Sequence, residues 1–116
     1  MSDYTIYHNP RCSKSRAALA LLEERGVSPA IRLYLQDPPD EAELKALLKK
    51  LGITAAQLVR RGESEYRESG LGPDSSEAEI LAAMAAHPKL IERPIVVRGK
   101  RAALGRPPEN VLVLTD

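Results

Sequence analysis

Thr5-Ile6-Tyr7-His8-Asn9-Pro10-Arg11-Cys12-Ser13-Lys14-Ser15-Arg16 carries an apolar stretch into a proline-containing turn and then into a helical pattern that begins at the thiol. Tyr4 to His8, rich in β-branched and aromatic residues, reads as a first strand. Ser13 to Arg25 reads as a helix. Ala18, Leu19, Leu21 and Leu22 give it a broad apolar face, and Gly26 follows as a C′ residue. Ala30 to Leu35 reads as a second strand, ended by Asp37-Pro38-Pro39. A strand-helix-strand start of this size implies a parallel pair joined by a right-handed crossover.

Cys12 is the only cysteine of the chain. Buried free cysteines commonly behave as small hydrophobes, but the neighbours here are polar and basic. A thiol at a helix N-terminus faces the positive end of the macrodipole and unpaired backbone N–H groups, which favour the thiolate, the nucleophilic form. His8, Arg11, Lys14 and Arg16 add cationic or potentially cationic neighbours. An activated thiol without a disulfide partner is the expectation.

The middle of the chain is helical. Asp40 stands three residues before Glu43, and Leu44, Leu47, Leu48 and Leu51 follow at helical spacing up to Gly52. Thr54 with Gln57, and Ser76 with Glu79, repeat the capping pattern ahead of Leu58-Val59 and of Ile80, Leu81 and Met84. Arg61 to Gly72 is polar and reads equally as a short exposed helix or a loop. The stretch from about 36 to 92 is thus a helical insertion. Ile95-Val96-Val97, the turn Arg98-Gly99-Lys100 and Arg101 to Leu104 form a hairpin. Pro107 and Pro108 suit the first turn of a short closing helix through Val113. The order predicts an α/β protein: a thioredoxin-like core with a four-stranded mixed sheet, interrupted by the helical insertion between its second and third strands.

The length of 116 residues fits a single domain, 1–116. With 43% apolar and 28% charged residues the chain belongs to the soluble globular class. Its net charge of +1 argues against nucleic-acid binding through a global basic field. Neither an apolar run long enough to span a membrane nor a secretory signal is visible. One cysteine forms no internal disulfide, so a reducing, cytoplasmic setting is expected.

Several blocks together resemble the glutaredoxin-dependent arsenate reductase family. They are Tyr7-His8-Asn9-Pro10-x-Cys12-x-x-Ser15-Arg16, Leu33-Tyr34-Leu35 with Pro38-Pro39, Leu58-Val59-Arg60, Arg93-Pro94-Ile95-Val96-Val97 and Gly105-Arg106-Pro107. They stand in order from Tyr7 to Pro107, within a resemblance that spans Tyr4 to Leu114. The resemblance implies that Cys12 is the nucleophile, that Arg60, Arg93 and Arg106 bind the oxyanion, that His8 favours the thiolate and that Ser15 lies near the thiol. It also implies that Pro94 is a cis-proline opposite the nucleophile. Guanidinium groups suit arsenate because they stay charged and present forked donors to a tetrahedral oxyanion. Attack by Cys12 would expel hydroxide and leave a thiol-bound As(V) ester. A chain with one cysteine needs outside electrons to go on to arsenite, and the family takes them from glutathione and then glutaredoxin, with no tightly bound cofactor.

Each cation also has a plainer role open to it. Arg60 and Arg61 end a helix, where positive charge complements the dipole, and only the motif favours Arg60 over Arg61. Arg106 could pair with Glu109. Other chemistries fail on counting. Cys12, His8 and the distant His87 are too few for a structural zinc site, so no metal is expected. There is no phosphate-binding Gly-rich loop ending in Gly-Lys-Ser/Thr. Ser15 stands where a C-x-x-C dithiol would have its second thiol, and Ala18 removes the Cys-x5-Arg cradle of phosphatase-like enzymes. Ser13-Lys14 occupies the place of the Gly-Thr pair found in the well-characterised branch. Two alternatives therefore stay open: a general glutathione-dependent thiol oxidoreductase, and an Spx-like regulator that binds RNA polymerase.

Overall fold

The computed structural model describes residues 3–115. The chain divides into two compact units, residues 1–37 with 93–116, and residues 38–92.

The first unit is built on a mixed sheet of β1 (Tyr4–Tyr7), β2 (Ala30–Arg32), β3 (Ile95–Arg98) and β4 (Arg101–Leu104), in the order β2-β1-β3-β4. β1 runs parallel to β2, with Ile6 opposite Ile31, and antiparallel to β3, with Ile6 opposite Val96. β3 and β4 form the hairpin, Val96 facing Ala103. The first helix, α1 (Ser13–Glu24), turns its Ala18 and Leu22 into a core shared with Tyr4, Ile6, Val96, Ala103, Val111 and Leu114. Gly26, at φ 78°, closes the helix in the left-handed region that its missing Cβ makes accessible.

A 3₁₀ helix over Pro108–Thr115 follows, tighter than the closing helix expected and ending two residues later. Polar side chains fasten it to the sheet. Tyr4 Oη donates to the Leu114 carbonyl at 3.0 Å, Arg98 Nη1 to the same oxygen at 2.6 Å and Arg101 Nη2 to the Val113 carbonyl at 2.7 Å.

β2 is shorter than expected. Leu33, Tyr34 and Leu35 have strand-like composition, but the backbone folds into a turn in which the Gln36 and Asp37 amides both donate to the Leu33 carbonyl. Arg32 fixes that turn, its Nε donating to the Asp37 carbonyl at 2.8 Å and lying 3.0 Å from the Asp37 carboxylate. A side-chain clamp here overrides β propensity, which is in any case a statement about packing context.

The second unit is helical: α2 (Glu41–Leu51), α3 (Ala55–Leu58), α4 (Ser64–Glu68) and α5 (Glu77–Ala86), followed by a 3₁₀ turn over Pro88–Leu90. The starts of α2, α3 and α5 follow from their caps. The Asp40 carboxylate accepts the Glu43 amide, and Thr54/Gln57 and Ser76/Glu79 form reciprocal capping boxes. Gly52, at φ 71°, ends α2. Apolar faces meet in a core of Leu44, Leu47, Leu58, Ile80, Leu81, Met84 and Leu90. The polar stretch after Arg61 resolves into the single short turn of α4, none of whose residues is buried.

Candidate active site

The turn ahead of α1 is organised by Asn9, which the sequence reading quoted only as part of a motif. Its carbonyl accepts the Cys12 amide at 2.9 Å, its Oδ1 accepts the Arg11 amide at 3.0 Å and its own amide donates to Ser15 Oγ at 3.0 Å. The Asn-Pro pair is the signal that could have marked it, because Asn side chains close turns onto the backbone two residues on. Arg16 adds an outer clasp, Nη1 donating to the Pro10 carbonyl at 2.8 Å.

Cys12 is the N-cap of α1, at φ −94° and ψ 122°, and is half-buried. Burial alone would raise its pKa. The backbone N–H groups of Ser15 and Lys14, and the charge and hydrogen bonding of the Arg93 guanidinium, outweigh that and hold the thiol below its usual range. The helix start thus supplies amides, and the loop ahead of β3 supplies the cation, Arg93, two residues before that strand begins. Nε and Nη1 of Arg93 are buried.

His8 and Ser15 are brought together. Both are buried, and His8 Nδ1 shares a 2.6 Å hydrogen bond with Ser15 Oγ. The Ser15 hydroxyl is therefore engaged by His8 and Asn9, and it is the Ser15 backbone amide that favours the thiolate. The His8 pKa is lowered, first by burial and then by the charge of Arg16, so the ring is held neutral. A lowered histidine pKa means the unfolded chain binds the proton more readily, so this contribution to stability is lost as pH falls through the ordinary histidine range, about 6.5. His8→Gln is expected to flatten the loss of thermal stability between about pH 7 and pH 5; melting curves across that window check it, and an unchanged slope would contradict a buried neutral imidazole.

The Arg93–Pro94 and Arg106–Pro107 peptide bonds are both cis. Gly105 lets the two arginine segments lie together. Its amide donates to the Pro94 carbonyl at 2.9 Å, and a Cβ built on it would stand 2.6 Å from Pro94 Cγ and 3.3 Å from Val111 Cγ1. No side chain fits in that space, and the close approach puts Arg106 Nη1 3.5 Å from the Arg93 carbonyl. Arg106 is exposed.

Arg60 belongs to the second unit. Its amide donates to the Leu90 carbonyl at 2.7 Å, and its guanidinium lies 2.6 Å from Glu63 and 3.6 Å from Glu92. These partners lie beyond the helix-end role that sequence position offers. Arg61 is exposed.

Within the first unit, then, a thiol of lowered pKa at a helix N-terminus has a guanidinium beside it and a second arginine on the neighbouring loop. Such a set can hold a tetrahedral oxyanion through forked donors while the sulfur attacks its central atom.

Comparison with known proteins gives matches of the same extent. The model of the ArsC family matches residues 7–114. An arsenate reductase of Neisseria meningitidis serogroup A is 50% identical over 113 residues, covering 96% of this chain and 97% of the relative. The uncharacterized protein YfgD of Escherichia coli K12 is 54% identical over 109 residues, with 92% of each chain covered. The solved structure of an arsenate reductase from Vibrio cholerae superposes with a TM-score of 0.91 at 49% identity, covering 95% of both chains.

Proposed function

From membership of the ArsC family, to which this chain belongs, we propose that the protein is an arsenate reductase in which Cys12 is the nucleophile and glutathione and glutaredoxin supply the electrons. The observation that carries the reading is the Arg93 guanidinium beside a Cys12 sulfur already favoured as thiolate by the Ser15 and Lys14 amides. Relatives called arsenate reductases at about half identity support the same substrate.

In this reading Arg93 and Arg106 draw arsenate against the thiolate and offset the repulsion between two anions. The sulfur bonds to arsenic and hydroxide leaves, taking a proton as water. Arsenic then accepts two electrons from two thiols, Cys12 and one glutathione, which become a mixed disulfide as arsenite is released. A further thiol must reduce that disulfide, because no second cysteine is present to do so. His8 and Ser15 hold the turn that aims the sulfur. For Arg60 the support is the sequence resemblance alone, and Arg60→Ala is its test through the KM for arsenate.

The experiment is NADPH oxidation dependent on arsenate, in the presence of glutathione, glutaredoxin and glutathione reductase, with arsenite measured as product. Turnover that requires every component supports the reading. Folded protein with a reactive Cys12 and no arsenite formation would overturn it.

A further inference from the structure

The charge around Cys12 is one-sided. Residues 4–22 and 93–108, the two stretches that carry the Cys12 turn and the two arginine loops, contain eight Lys and Arg and not one Asp or Glu. Arg98, Lys100 and Arg101 belong to the hairpin end away from Pro94, where Arg98 and Arg101 fasten the C-terminal 3₁₀ helix. The remaining five, Arg11, Lys14, Arg16, Arg93 and Arg106, lie on the turn, the first helical turn and the two arginine loops. An oxyanion of a few ångströms is served by the inner guanidinium groups. Arg11 and Lys14 are exposed, and among the described residues no carboxylate pairs with either.

Beside this rim is a notch of about 220 Å³, lined by His8, Asn9, Pro10 and Arg11 of the turn and by Leu33, Leu35 and Gln36 of the clamp that cuts β2 short. Its lining is mainly apolar, and Leu35 is one of only three large apolar side chains exposed among the described residues, at 38%. An apolar hollow flanked by the exposed cations Arg11 and Lys14, next to a reacting atom, has the make-up of a transient protein interface: a small anchor for one partner side chain, with a charged rim that governs encounter.

We propose that the His8–Arg11 turn and the Leu33–Gln36 segment form the docking surface for the protein reductant, a thiol protein whose face is acidic and carries one protruding apolar side chain. The inference rests on the reading that Cys12 is recycled by an outside thiol protein. In the step served, the partner's thiolate attacks the outer sulfur of a Cys12 mixed disulfide. The disulfide bond breaks, Cys12 leaves as thiolate, and a new disulfide joins the partner to the released group, to be resolved by a second thiol.

The test uses the full chain with Cys12 converted to its mixed disulfide with 2-mercaptoethanol, which is uncharged. Reduction by a glutaredoxin with an acidic face around its thiol is compared with reduction by dithiothreitol, in the wild type, Arg11→Glu and Leu35→Asp. The glutaredoxin rate constant is expected to fall about tenfold in each variant, and also in the wild type as ionic strength rises from about 0.05 to about 0.5 M. The dithiothreitol rates should change less than about threefold, which also reports a folded site. Equal glutaredoxin rates in wild type and variants would overturn the docking surface while leaving the reductase reading intact. A parallel fall with dithiothreitol would likewise overturn it, placing the effect on the thiol itself. A wild-type disulfide that glutaredoxin reduces no faster than dithiothreitol would refute the protein reductant as well.

Discussion

Cys12→Ser is expected to remove arsenate turnover to below detection, a loss of at least roughly 10⁴-fold, because a hydroxyl at this position has no accessible anion to attack with. The same substitution is expected to leave the fold as stable or more so. Cys12 occupies the N-cap of α1, where its sulfur faces the Ser15 and Lys14 amides, and serine, a preferred N-cap residue, keeps an acceptor in front of them. A change of less than about 1 kcal/mol in thermal unfolding is the expected size. Inactivity with an unchanged or raised melting temperature would place the loss at the sulfur and not in the fold. A variant that is inactive because it is unfolded, or one that still reduces arsenate, would contradict this assignment.

Arg93→Ala carries the second largest effect, by two routes that separate experimentally. Loss of a partly buried guanidinium that faces developing negative charge lowers kcat/KM by about 10²–10³-fold. Loss of its charge and hydrogen bonding at the sulfur also lets the Cys12 pKa rise toward the usual thiol range. The thiolate is the reactive form, so the pH midpoint of iodoacetamide alkylation should move upward in Arg93→Ala and move less in Arg93→Lys, which keeps the charge without the fork. Turnover should nevertheless stay low in the lysine variant, because one ammonium does not replace two parallel donors to the oxyanion. An unmoved alkylation midpoint in Arg93→Ala would leave the amides of Ser15 and Lys14 as the whole source of activation.

Much of this was legible before the structure because it is local. Asp40/Glu43, Thr54/Gln57 and Ser76/Glu79 mark helix starts through hydrogen bonds that span three residues, and Gly26 and Gly52 mark ends through backbone conformations that need no tertiary partner. The position of Cys12 between a strand and a helix follows from the same kind of signal. What was not legible depends on residues distant in sequence or on competition between neighbours. Leu33-Tyr34-Leu35 has strand composition, and only the Arg32–Asp37 clamp makes it a turn. Arg60 looks like a helix-end cation until Glu92 comes beside it. The motif put Ser15 near the thiol, but its hydroxyl spends its hydrogen bonds on His8 and Asn9, and its backbone amide is what acts on the sulfur. Gly105 carries no local turn signal, and its need to be glycine comes from the Pro94 ring and Val111.

The most direct test of the central claim, that Cys12 itself engages the oxyanion, is alkylation of Cys12 by iodoacetamide in rising arsenate, without glutathione and at constant ionic strength. Arsenate is expected to slow alkylation in a saturable way, chloride at equal ionic strength is not, and the protection is expected to be lost in Arg93→Ala. Alkylation that proceeds at one rate across the arsenate range would contradict it.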